Sequence, residues 1–127
     1  MRLLLDSNIV VPFTRREMHL VDAKISLLIG SPANEIFVST ASLWEIGIKA
    51  RLGKLNLTIP LSEIAGYFVQ FGFQILLVDE FHAVEEIADP PPTRDPFDRL
   101  LLAQCQVEGM LLVTTDRALI GHRLAWR

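Results

Sequence analysis

Two short apolar runs, each closed by an aspartate, constrain this chain most. Arg2 to Leu5 gives way to the turn-forming series Asp6-Ser7-Asn8, and Met110 to Thr114 stops just before Asp116. A strand that is apolar throughout, rather than at every second position, is buried on both faces, as in a parallel sheet covered by helices. Ile36 to Val38 and Gln74 to Val78 read as further strands. Helical stretches lie between them. The series TASLWEIGIKAR, from Ser39 or Thr40 to about Arg51, is stopped by Gly53, and Leu61 to Phe71 is closed by Gly72. Glu80 to Ala88 reads as helical up to the loop Asp89-Pro90-Pro91-Pro92-Thr93, whose prolines cannot continue a helix. This alternation predicts an α/β fold, a small parallel sheet with helices on both faces.

The clearest boundary is Asp95-Pro96-Phe97-Asp98. Aspartate is a good N-cap, proline is favoured at the first helical position, and a second acid follows in the first turn, where the helix dipole welcomes it. The predicted helix runs through LLLAQCQVE to Gly109. Open parallel sheets bind ligands beyond the carboxyl ends of their strands, and Asp6 and Asp116 stand at two such ends.

With 127 residues, no repeat and no linker, residues 1–127 read as one domain. The single cysteine, Cys105, lies in the apolar run LLLAQCQV and reads as a buried structural thiol, compatible with a reducing compartment. No apolar stretch approaches the ~20 residues that span a bilayer, and MRLLLDSN acquires an acid too early for a signal peptide, so the expectation is a soluble, cytoplasmic protein. A net charge of −3 argues against nucleic-acid binding through a diffuse positive field. Any such binding is local, in a mixed site where Arg94, Arg99 and Arg117 lie beside acids.

Each acid has an ordinary role when taken alone. Asp6 can form an Asx-turn, and Asp116 can cap a short final helix beginning at Arg117. Glu45 can close a capping box with Ser42 or pair with Lys49 four residues on. Asp95 is the N-cap, and Asp98 can be a dipole partner. Taken together, Asp6, Glu45, Asp98 and Asp116 at the mouth of one sheet would repel one another unless something positive sits among them. Mg²⁺ or Mn²⁺, which prefer oxygen ligands, would do so. His19, His82 and His122 lack zinc-like spacing and read as surface or capping residues.

The segments LLLDSN, VSTASLWEIGIKARLGKL, RDPFDRLLLAQCQVEGMLLVTTDRAL and a closing Ala125-Trp126 resemble PIN-domain proteins of the VapC toxin type, in order and over nearly the whole chain. The resemblance implies a three-layer α/β/α sandwich and a metal-dependent endoribonuclease whose acidic positions match Asp6, Glu45, Asp98 and Asp116. It implies Mg²⁺ or Mn²⁺ as cofactor and in-line attack leaving a 3′-hydroxyl and a 5′-phosphate. Ser7 and Thr115, beside the acids, are the hydroxyls expected to support the site; Asp95 matches the motif, and Arg99 is a candidate for phosphate contact. The implied partners are an RNA substrate, a small antitoxin whose C-terminal segment covers the acidic cleft, and a second copy of the chain. Thr93 and Asn8 stand where this type often has histidine, and Pro12-Phe13 replaces a tryptophan-bearing segment.

Two rivals are weighed beside this reading. A haloacid-dehalogenase-type phosphatase needs an aspartate two positions after Asp6, where this chain has Asn8. A non-catalytic module that binds RNA or protein would not need all four acids.

Overall fold

The computed structural model describes residues 1–127. Strands β1 (Arg2–Leu5), β2 (Glu35–Ser39), β3 (Gln74–Leu76) and β4 (Leu111–Val113) form one parallel sheet in the order β3-β2-β1-β4. The chain moves outward from β1 through β2 to β3, then returns to place β4 on the other side of β1. The order therefore reverses between β1 and β4, and this is where a parallel sheet leaves a crevice at its carboxyl edge.

Alternate side chains divide the core into two layers. Leu3 and Leu5 of β1, Ile36 and Val38 of β2 and Val113 of β4 pack against α1 (Ser7–Thr14), α2 (Ala23–Gly30) and α4 (Ile64–Gln70). On the opposite face Leu4, Phe37 and Leu112 meet Leu101, Leu102 and Cys105 of α6 (Pro96–Glu108). Helix α3 (Thr40–Arg51) follows β2 directly and serves both layers, giving Ile46 to the first and Ala41 to the second. Helix α5 (Glu80–Val84) packs on α6. The expected α/β/α layering is what these contacts build, and Cys105 is fully buried in it, which pushes its thiol pKa up.

The helix boundaries follow local chemistry. Gly109 ends α6 in the left-handed region at φ 68°, and Gly53 and Gly72 take positive φ just beyond α3 and α4. Other features depart from the sequence reading. Asp6-Ser7-Asn8 is a helix start rather than a turn, and neither α1 nor α2 was legible: α1 contains Pro12, and each helix is only eight residues long. Leu61 to Phe71 divides into a 3₁₀ turn, Leu61–Glu63, followed by α4. Helix α5 stops at Val84, because Glu85 is already extended. No helix follows Asp116. The chain instead makes successive turns and then lays its tail along the free edge of β4, where Ala125 bridges Leu112 in parallel and Trp126 N donates to Leu112 O at 2.8 Å. No helix of the structure is long and apolar enough to cross a membrane.

Candidate active site

Asp6 leaves the end of β1 and caps α1. Its Oδ1 accepts the Ser7 amide at 2.8 Å and its Oδ2 accepts the Thr114 hydroxyl at 2.7 Å, with both residues buried. The Thr114 oxygen also accepts the Asp116 amide at 3.0 Å, so one hydroxyl joins the acid after β1 to the acid after β4. Thr115, expected to give this support, is exposed. Adjacent residues leave a strand end in opposite directions, and the last strand residue is rarely fixed by sequence to better than one position. Thr114 is thus the site residue that sequence reasoning missed. The half-buried Asp116 accepts the Ala118 amide at 2.9 Å and closes a turn, where a helix cap had been expected.

Glu45 stands on α3, whose N-cap is Ser39, accepting the Ala41 amide at 3.0 Å. The capping box with Ser42 therefore does not form. Instead Ser7 Oγ donates to Glu45 Oε1 at 2.8 Å and lies 3.2 Å from Ser42 Oγ, while Lys49 Nζ pairs with Glu45 Oε2 at 2.8 Å. Both carboxylate oxygens are held, one across the fold and one along the helix.

Asp98 sits in the first turn of α6. Asp95 caps that helix by accepting the Phe97 amide at 2.9 Å, and Pro96 occupies the first turn as the sequence predicts. The buried Asp98 accepts the Thr93 hydroxyl at 3.3 Å. Arg99 does not reach the acids: its Nε and Nη2 donate to Thr93 O at 3.2 and 2.9 Å, tying the guanidinium to the proline-rich loop.

The carboxyl groups sense one another. Burial raises the pKa of Asp6 above its ordinary 3.8, hydrogen bonds from Thr114 and Ser7 oppose that, and the charges of Asp116 and Glu45 add to it. Asp98 is pushed up to about 6, by burial first and then by Asp95, Asp6 and Asp116, against the Thr93 hydrogen bond. Asp6 is thus coupled to Glu45, Asp98 and Asp116 at the carboxyl ends of β1 and β4, with Asp95 acting on Asp98, but no three of these carboxylates have oxygens within 4.8 Å of one another.

Residues 3–122 match the sequence model of the PIN domain. The chain belongs to the PIN-domain family. No curated protein matches it in sequence. Its fold is similar to that of a chain in the crystal structure of VapBC2 from Rickettsia felis bound to a DNA fragment from their promoter. That similarity has a TM-score of 0.54 and 15% identity, covering 91% of this chain and 89% of the other.

The donor set of this PIN domain fits a hard divalent cation. It consists of carboxylates, two with raised pKa values, and such groups are relieved by a positive charge among them. Neither histidine nor thiol joins them. One trio of potential ligands does lie within 4.8 Å of one another, Asp79, His82 and Glu108, but it is elsewhere. Glu108 is ten residues beyond Asp98 on α6, about 15 Å along the helix axis. The two nitrogens of His82 are also already engaged: Nδ1 accepts the Asp79 amide at 3.1 Å, completing a capping box, and Nε2 meets Glu108 Oε2 at 2.8 Å. His82 is a capping residue, as expected, but a buried one.

Proposed function

We propose that this PIN domain is an endoribonuclease dependent on Mg²⁺ or Mn²⁺ and is the toxin half of a toxin–antitoxin pair. The observation that carries the reading is the gathering of Asp6, Asp98 and Asp116 at the β1–β4 crevice, where Asp116 raises the proton affinity of Asp6 and both raise that of Asp98. Asp6, Asp98 and Asp116 would hold the cation. When bound, it lowers the pKa of an attacking water and stabilises charge on the phosphorane and leaving oxygen.

The remaining work belongs to the chain. Thr114 and the Ser7 amide fix the two oxygens of Asp6, and Thr93 fixes Asp98. Glu45, clamped between Ser7 and Lys49, would bind the metal through water or orient the attacking water for in-line displacement, leaving a 3′-hydroxyl and a 5′-phosphate. Restraining these side chains before substrate arrives lowers the reorganisation needed in the transition state.

The toxin assignment is supported by the motifs Ser-Leu-Trp-Glu-Ile and Asp-Pro-Phe-Asp-Arg, and by the shared fold with a chain of a VapBC2 complex. A small antitoxin would cover the acidic cleft with a basic C-terminal segment. The single domain, residues 1–127, would act in the cytoplasm as a homodimer.

The deciding experiment incubates purified protein with structured RNAs, with and without Mg²⁺ or Mn²⁺, beside Asp6→Asn and Asp98→Asn variants. Cleavage that needs the metal and both acids is expected. Metal-independent cleavage, or unchanged cleavage by the variants, would sink the mechanism.

A further inference from the structure

Thr114, whose hydroxyl bonds Asp6, also lines a cavity of about 460 Å³, walled by the start of α2, the loop after β4 and the tail. Its lining combines three kinds of group. Ile25, Ile120 and the half-buried indole of Trp126 give apolar surface, Thr114 and Thr115 give hydroxyls, and Lys24 and Arg127 give cations. The tail's bridge to β4, Ala125 to Leu112, brings Trp126 and Arg127 to a cavity that Thr114, the hydroxyl partner of Asp6, also lines.

The charges are free to act on a ligand. The Asp22 carboxylate, also in the lining, is turned to its own helix, accepting the amides of Lys24 and Ile25 at 2.8 and 3.4 Å. Lys24 forms no ion pair, and Arg127 uses only Nη2, on Gly121 O at 2.6 Å. Around the acids Lys49 is engaged by Glu45, Arg99 by Thr93 and Arg123 by Asp89, whereas Arg94 and Arg117 stand exposed beside Asp95 and Asp116. The flank formed by Asp95 and Asp98 is acidic. A strand crossing the carboxylates finds, in this cavity, an aromatic face beside two unpaired cations.

We propose that this cavity binds one unpaired nucleotide of the substrate strand, next to the phosphodiester at the acids. The base lies against the Trp126 indole, its edge meets the hydroxyl of Thr115, and Lys24 and Arg127 take its phosphate. The volume suits a small-molecule cleft, and aromatic faces beside cations are how proteins hold single-stranded nucleic acid. The assignment rests on the endoribonuclease reading and deepens it by placing substrate selection at the tail.

The test uses Trp126 as its own reporter. In a Trp44→Phe background, which removes the one other tryptophan at an exposed position, emission is followed during titration with the hexaribonucleotides of uridine, adenosine and cytidine in EDTA. Saturable quenching by at least one is expected, with half-saturation raised about tenfold in a Lys24→Ala/Arg127→Ala double variant. With Mn²⁺ and a cleavable RNA, the same pair of changes raises KM about tenfold and leaves kcat within about twofold. Unchanged emission with every hexamer, or an unchanged KM, overturns the proposal, and quenching by a partner polypeptide alone does so too, giving the cavity to protein. Quenching without any cleavage upholds the subsite and overturns the nuclease reading; cleavage with parental KM and no quenching does the reverse.

Discussion

The Thr114 hydroxyl donates to Asp6 Oδ2 at 2.7 Å, and the same oxygen accepts the Asp116 amide, so one side chain sets the spacing of two acids 110 residues apart in sequence. Removing the donor leaves a buried carboxylate oxygen unpaired. Thr114→Val, close in shape, is expected to weaken Mn²⁺ binding by about 10- to 100-fold, and Thr114→Ser to restore most of it. Calorimetric titration with Mn²⁺ measures this directly; a Val variant with parental affinity would separate Thr114 from the site.

Without metal, the acids should make the fold less stable as pH rises. Asp98 and Asp6 both have folded-state pKa values above the ordinary 3.8, with Asp98 at about 6. Between those values the folded protein holds more protons than the unfolded chain, so stability falls through this window and levels off above it. In EDTA, Tm is expected to drop from pH 4.5 to 6.5. Asp98→Asn, which removes one of these ionisations, should flatten the decline and melt higher than the parent at pH 7. Added Mn²⁺ should then raise the parent's Tm more than the variant's. Parallel Tm curves for the two proteins would remove Asp98 from the account.

Lys49 neutralises Glu45 at 2.8 Å from a partly exposed position. Such pairs contribute little to stability, so Lys49→Met should change unfolding free energy by under about 1 kcal/mol. Its effect belongs to the site. Loss of the cation leaves one more negative charge near the crevice, and Mn²⁺ should bind about two- to fivefold more tightly. Cleavage should nonetheless slow by about tenfold, because Glu45 Oε2 loses its anchor. Lys49→Arg should behave like the parent. Titration and single-turnover cleavage of the three proteins test the split between binding and rate.

His82 closes the start of α5 and ties it to Glu108 near the end of α6, far from the acids. A buried capping role predicts that His82→Ala costs about 2–4 kcal/mol in urea unfolding, from lost packing and unpaired neighbours. Affinity of the folded variant for Mn²⁺ at the crevice should stay parental. A variant that lost metal binding while keeping its stability would instead identify the Asp79–His82–Glu108 trio as a ligand set.

Much of this molecule was legible because its signals are local. The cap at Asp95, Pro96 in the first turn, Gly109 at the end of α6 and the apolar runs of β1 and β4 each state a backbone preference within a few residues. Those elements placed Asp6, Asp98 and Asp116 at element ends, and the order of motifs carried the family. The short helices α1 and α2 were not legible, since eight residues carry too little periodicity and Pro12 argues against a helix on its own.

By itself, then, the sequence determined the alternation of strands and helices, the identities of the acids and the cap that positions Asp98. Only the tertiary structure decided that Thr114 rather than Thr115 turns toward Asp6, that Ser7 rather than a capping box engages Glu45, and that the tail returns to β4 and brings Trp126 and Arg127 to the cavity lined by Thr114. The physical reason is range. A cap or a strand is chosen by neighbours in the chain, whereas these contacts join segments from 13 to more than 100 residues apart and exist only once the sheet order β3-β2-β1-β4 has formed.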